Sequence, residues 1–251
     1  MLTTQRKQLI LGRLKADGQI VAKTLSQELG LSEDTIRRDL RELAAEGLLQ
    51  RVHGGALPAS PTVVDLQARK QISQEAKAVL GKAAANLIQS GQVVLLDGGT
   101  THVHLVRHLP ADLKATFVTH SPTIAVELGE HTSCEVVLLG GRLFRHSMVA
   151  MGAATLEALS HIRPDLFFMG VTGVHAQEGL STGDLEEAHL KRALSQRAAE
   201  TIVLADSKKI GVASQYVIAP VRELGTLIVE KSLPEEVLSP FEGLGITLLR
   251  A

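Results

Sequence analysis

The chain has 251 residues, a formal net charge of −1 and a single cysteine, and 45% of its residues are hydrophobic. That length suits one domain plus a smaller second one, and the near-zero charge excludes a fit to nucleic acid along the whole chain. The lone thiol, Cys134, excludes an internal disulfide and fits a reducing cytoplasm.

With five Phe, one Tyr and no Trp, the core must be built from aliphatic residues, which suits a parallel sheet covered by helices. The opening MLTTQRKQLILGRL lacks the apolar centre of a signal peptide. No apolar run approaches the ~20 residues of a membrane span. Three short helical patterns come first. Thr3 or Thr4 is placed to cap a helix that presents Ile10, Leu11 and Leu14 and stops near Gly18. Ile20 and Val21 make a brief extended step. A second helix over 22–29 carries Leu25 and Leu29 on one face and ends at Gly30. Ser32 is placed to cap a third, with Glu33 and Asp34 in its first turn, Ile36, Leu40 and Leu43 on its apolar face and Gly47 as its stop. LLQRVHGGAL then reads as two short strands and a turn.

HGGALPASPTVV, residues 53–64, has the composition of a boundary. The expected division is 1–58 for the helical unit, 59–75 for a linker with the start of a connecting helix, and 76–251 for the larger unit. A long helix is expected over roughly 64–89. After it the pattern alternates strand, loop and helix, with apolar runs at 93–97, 116–120, 135–140, 165–171, 201–206, 226–230 and 246–250. Such alternation predicts an α/β fold with a mostly parallel sheet.

The third helix bears the first functional signal. In SEDTIRRDLREL, Arg37, Arg38 and Arg41 fall opposite the apolar stripe, with Thr35 beside them. A helix offering Thr and Arg outward from a three-helix unit can enter the major groove, where Arg bonds guanine edges or phosphates. A plainer reading pairs Arg38 with Asp34 and Glu42, each four residues away, on a solvated face. The charge distribution favours the first reading. Residues 1–58 hold nine Lys and Arg against seven acids, and the remainder holds seventeen against twenty.

TIRRDLREL followed by RVHGGA resembles the winged helix-turn-helix of the DeoR family of bacterial transcription regulators. The resemblance implies a DNA surface of Ser32, Thr35, Arg37, Arg38 and Arg41, with Arg51 and His53 on a wing.

The second signal lies at the carboxyl ends of the expected strands, where open parallel sheets bind ligands. Asp97-Gly-Gly-Thr-Thr101, His120-Ser121, Gly140-Gly-Arg142, Gly170-Val-Thr-Gly173 and Asp206-Ser-Lys-Lys209 gather there. Glycine N–H groups, hydroxyls, helix N-termini and ammonium groups together suit an anion. LLDGGTT, VTHS, LLGG followed by Arg145, GLSTG, EAHLKRAL and LADSKK also resemble the DeoR family's effector domain, which is similar in fold to sugar-phosphate isomerases. The resemblance implies a phosphorylated small-molecule effector, repression of a carbohydrate operon and a homo-oligomer. It implies no cofactor, metal or membrane. The effector contacts it suggests are Asp97, Gly98, Gly99, Thr100, Thr101, His120, Ser121, Gly140, Gly141, Arg145, Gly170, Lys191 and Lys209. Two positions depart from the family pattern: His120 stands where Asn is usual, and Lys208 where Ser is usual.

The alternative is a phosphosugar isomerase with an accessory DNA-binding domain, with Asp97, Glu187 and His120 as acid–base candidates. The chain lacks the acidic signature of ribose-phosphate isomerases, a Walker A loop and a dinucleotide loop. His104 and His108, four apart, have no accompanying Cys or carboxylate set for a metal, and Cys134 reads as a packed small residue.

Overall fold

The computed structural model describes residues 2–251. The N-terminal unit comprises α1 (Thr3–Asp17), β1 (Ile20–Val21), α2 (Ala22–Leu29), α3 (Glu33–Ala45), β2 (Leu49–Val52) and β3 (Gly55–Pro58). Its strands form an antiparallel sheet in the order β1-β3-β2. The expected apolar stripes meet in one core: Ile10, Leu14, Leu25, Ile36, Leu40 and Leu43 pack with Leu49 and Ala56. The Ser32 hydroxyl accepts from the Thr35 N–H at 3.2 Å and caps α3. The cap of α1 is Leu2 rather than a threonine; Thr3 is already helical, and Gln5 reaches back to accept from the Leu2 N–H at 3.3 Å.

Beneath the apolar stripes, α1 and α3 are joined by an ion pair between Arg6 and Asp39, both buried. Its second bond, Arg6 Nη2 to Asp39 Oδ1, is 3.0 Å long, which makes it bidentate, the strong geometry for this pair. Gly55 is required where β3 meets β1, because a Cβ there would lie 1.7 Å from the Ile20 carbonyl oxygen.

Between the units run α4 (Leu66–Lys70) and α5 (Gln74–Ala85). The single long helix expected over 64–89 is therefore broken. Ser73 sits at φ 50°, in the left-handed region, and the chain turns there. Lys77 Nζ donates to the Arg69 carbonyl at 2.6 Å, an acceptor that an unbroken helix would give to the residue-73 N–H.

The larger unit continues through β4 (Val93–Leu96), α6 (Thr100–Arg107), β5 (Thr116–Thr119), α7 (Pro122–Leu128), β6 (Glu135–Leu138), β7 (Arg142–Phe144), β8 (Val149–Met151) and α8 (Ala153–Ser160). Then come β9 (Leu166–Met169), β10 (Gly173–His175), β11 (Gly179–Thr182), α9 (Leu185–Ser195), β12 (Glu200–Ala205), β13 (Tyr216–Ala219), β14 (Thr226–Val229), α10 (Glu235–Leu238) and β15 (Thr247–Arg250). Each of the seven expected apolar runs contributes a strand to one parallel sheet, ordered β15-β14-β12-β9-β4-β5-β6. Alternate side chains serve opposite faces. Val94, Leu96, Phe117, Phe168, Ile202, Leu204 and Ile228 pack with α5 and α6. Leu95, Val118, Phe167, Met169, Val203 and Leu227 pack on the other side with α9.

Two small additions have no counterpart among the expected strands. One is the β7–β8 hairpin, and the other is an antiparallel sheet in the order β10-β11-β13. From β4 the chain steps to β5 and β6 on one side, then returns through β9 on the other. The switch point therefore lies between the carboxyl ends of β4 and β9, where such sheets open a crevice.

Candidate functional site

Two surfaces concern function. On the N-terminal unit, α3 turns Arg37, Arg38 and Arg41 to solvent, and the wing exposes Arg51 and His53. Arg37 and Arg51 line one groove with Val52 and Gly54, so helix and wing form a continuous face. The pairing considered for Arg38 does not form. Arg37 instead pairs with Glu33, at 2.6 Å, and Glu42 with Lys7, at 3.1 Å. Among the described residues, Arg38 and Arg41 make no ion pair. Ser32 and Thr35 lie at the amino end of α3 with their hydroxyls 2.9 Å apart.

The crevice at the switch point is a narrow cleft open to solvent at its mouth. Gly98, Gly99, Thr100, Thr101 and His102 line it from the turn after β4, and Gly170, Val171 and Thr172 from the segment after β9. Thr182, Glu187, Lys191 and Lys209 complete that side. The cap of α6 is Gly99, which offers no side chain to the first-turn N–H groups. Those groups and the helix dipole favour an anion.

Under the cleft lies a polar knot centred on Asp97, which is fully buried. Its Oδ1 accepts from Gly98 N at 2.7 Å and His120 Nε2 at 2.9 Å, and its Oδ2 from Gly170 N at 2.9 Å and from Lys191 Nζ. Burial opposes ionisation, but Lys191 and His120 outweigh it and hold the Asp97 carboxyl far below the ordinary range. The same pairing with Asp97 and Glu187 keeps the buried Lys191 charged, its pKa raised against the cost of burial. His120 Nδ1 lies 2.8 Å from the Ala150 carbonyl and ties the knot to β8. Gly170 packs closely here: a Cβ would stand 3.0 Å from the Gly98 carbonyl oxygen and 3.1 Å from Asp97 Oδ2, so those atoms would have to give way slightly to a side chain.

The connecting segment closes the cleft: Thr62, Arg69, Ile72 and Lys77 form its remaining wall. Burial lowers the pKa of Arg69 and of Lys209. Lys77 is lowered to about 8, first by burial and then by Lys209. Among the described residues, none of the three makes an ion pair, and Arg69 Nε is buried with no hydrogen-bond partner. Three cations thus converge on one cleft without a carboxylate partner, an arrangement that costs free energy until an anion arrives.

Of the thirteen effector contacts suggested by sequence, Gly98, Gly99, Thr100, Thr101, Gly170, Lys191 and Lys209 line the cleft together. Asp97, His120 and Ser121 lie behind it; the Ser121 hydroxyl is engaged with Thr123 Oγ1 at 2.8 Å and the Met148 carbonyl at 3.1 Å. Gly140, Gly141 and Arg145 are exposed at the β7–β8 hairpin and are not part of the lining. Sequence reading named the 170–173 loop without singling out Thr172, and missed Thr62, Arg69, Ile72, Lys77, His102 and Thr182 as lining residues. Two cations eight residues apart gave the only hint of Arg69 and Lys77, and a continuous helix would hold those positions about 12 Å apart along its axis. The break at Ser73 is what brings them together.

Residues 6–62 match the DeoR-like helix-turn-helix domain, and residues 72–231 match the DeoR C terminal sensor domain. The chain belongs to the DeoR family. It is a DNA-binding transcription regulator, not an enzyme. Among DeoR-type relatives, the HTH-type transcriptional regulator GlpR of Haloferax volcanii is 34% identical over 99% of this chain and 98% of its own. The glycerol-3-phosphate regulon repressor of Escherichia coli (strain K12) is 31% identical over 84% of each chain. A D-ribose-5-phosphate isomerase solved with phospho-erythronic acid is 20% identical, with a TM-score of 0.40 over 58% of this chain and 55% of that one. No helix among the described residues is long and apolar enough to cross a membrane.

Proposed function

We propose that this DeoR-family regulator is a cytoplasmic repressor of a carbohydrate operon, released from its operator by a phosphorylated small molecule. Residues 1–58 bind DNA, with Arg38 and Arg41 reading or clamping the major groove and Arg51 and His53 on the adjoining backbone. Residues 76–251 hold the effector, and residues 59–75 join the two. A homo-oligomer would present paired winged helices to repeated half-sites.

The convergence of Arg69, Lys77 and Lys209 at the open amino end of α6 carries the effector reading. A phosphate dianion supplies the charge those groups lack and acceptors for the N–H groups of Thr100 and Thr101. The name of the E. coli relative, a glycerol-3-phosphate regulon repressor, agrees with a phosphorylated ligand. An electrophoretic mobility shift on the DNA upstream of the gene tests both halves. Arg38→Ala or Arg41→Ala should weaken binding by about one to two orders of magnitude. A phosphorylated metabolite that raises the melting temperature should also release the DNA. Undiminished binding by both arginine variants would remove α3 from its role, and a panel of phosphosugars without thermal effect would remove the effector.

A further inference from the structure

His102 follows the two threonines at the start of α6, and its ring is buried. Nδ1 lies 2.9 Å from the Asp97 carbonyl oxygen. A carbonyl only accepts, so Nδ1 carries a proton, and in the neutral ring Nε2 keeps its lone pair. The neutral ring is the prevailing form: burial, with help from Lys209 and Lys191, pushes the imidazole down to about 4 against the pull of Asp97.

Nε2 has no hydrogen-bond partner, yet it is not sealed away. Among the described residues the buried, unpartnered side-chain nitrogens and oxygens are Arg69 Nε and Asp206 Oδ2 alone. His102 is among the residues that line the cleft, and Nε2 is the ring nitrogen left free to serve it. Most of that cleft donates: Arg69, Lys77, Lys209 and the first-turn N–H groups have nothing to accept with. The Glu187 carboxylate is already engaged, by Thr182 Oγ1 at 2.5 Å and by Lys191 at 3.6 Å. His102 therefore offers a fixed acceptor in a cleft otherwise dominated by donors.

We infer that His102 Nε2 accepts a hydrogen bond from a hydroxyl of the effector, so that the cleft selects a hydroxylated phosphate ester over a bare phosphate or an alkyl phosphate. The inference rests on the reading of the cleft as an anion site and adds the chemistry of the ligand's other end. A site built to bond a hydroxyl rejects an analogue without one, because its own polar group is then left unpaired.

Calorimetric titration of the full-length protein with glycerol 3-phosphate, propyl phosphate and inorganic phosphate tests it. The wild-type chain should bind glycerol 3-phosphate about tenfold or more tightly than propyl phosphate. His102→Asn keeps an amide donor within reach of the Asp97 carbonyl but withdraws the acceptor, and should shrink that ratio to about twofold. His102→Gln, longer and able to put an amide oxygen near the Nε2 position, should retain the preference. Equal wild-type affinity for the two esters overturns the assignment, and so does a ratio that survives in a folded His102→Asn protein. If none of the three phosphates binds the wild-type chain, the anion reading itself fails, a result distinct from binding without preference.

Discussion

Lys77 shows what an unpaired cation does to a site. Its carbonyl partner on Arg69 holds the ammonium in place without neutralising it, and burial beside Lys209 brings its pKa down to about 8. Between about 8 and the ordinary lysine value, the unfolded chain binds more protons than the folded one, so this group's contribution to stability rises with pH across that window. Effector binding should run the other way. A phosphate dianion beside Lys77 restores its charge, so the complex takes up a proton that the free protein has partly lost. Calorimetry at pH 8 in two buffers of different ionisation enthalpy should show uptake of roughly half a proton. Affinity should fall as pH climbs above about 8, and Lys77→Gln should flatten both effects. Binding with no proton exchange would mean that the phosphate sits away from Lys77. Sequence alone left this residue as one basic position on a helical face, because its neighbours in space come from another helix and from the turn after β12.

At the scale of elements, legibility followed burial and periodicity. The seven strands of the large sheet were readable because each is a largely apolar run between turn residues; the five inner ones are buried on both faces, and the edge strands β6 and β15 are partly exposed. The winged helix-turn-helix was readable because the stripe Ile36, Leu40, Leu43 and the cap Ser32 obey local rules. The break at Ser73 was not, since nothing in ARKQISQEAK forbids a continuous helix; tertiary bonds at Arg69 and Lys77 decide it. The β7–β8 hairpin escaped for a related reason, its mostly exposed RLFRHS mixing cations with Leu143 and Phe144 and lacking a strand period. The connecting segment is the element with most at stake, being both linker and cleft wall. Ser60 Oγ donates to the Thr172 carbonyl at 2.5 Å, Ala59 bridges to Ala213, and the Leu66 N–H donates to the His146 carbonyl at 2.9 Å. Ser60 lies outside the cleft lining, so Ser60→Ala should leave DNA and effector affinities within about threefold. The effector's influence on DNA should nonetheless fall, by about 0.5–2 kcal/mol of coupling. Mobility shifts with and without effector measure it, and full retention of the response would place the coupling elsewhere.

For the whole molecule, the decisive quantity is the free energy that links the two surfaces. The DNA face belongs to a unit with its own core, and the cleft to a unit with two more. The segment that joins them contributes Arg69 to the cleft, where the guanidinium also reaches Ser147 Oγ at 3.3 Å. A ligand that draws Arg69 toward its phosphate competes with that contact and so favours one placement of the segment over another. A ligand with equal affinity for both placements would shift nothing, however tightly it bound. Linkage then fixes a relation that holds whichever arrangement binds operator. If saturating effector weakens DNA binding by a given factor, about 5- to 150-fold for couplings of ordinary size, saturating operator DNA must weaken effector binding by the same factor. Both can be measured on one preparation, by fluorescence anisotropy of labelled operator at zero and saturating effector, and by effector titration at zero and saturating DNA. Equal factors are expected, together with a parallel reduction of both in Ser60→Ala. Equality follows from the closed cycle and checks that both titrations report equilibrium; a Ser60→Ala protein that keeps the wild-type factor in both would deprive the connecting segment of its place as the path between cleft and operator.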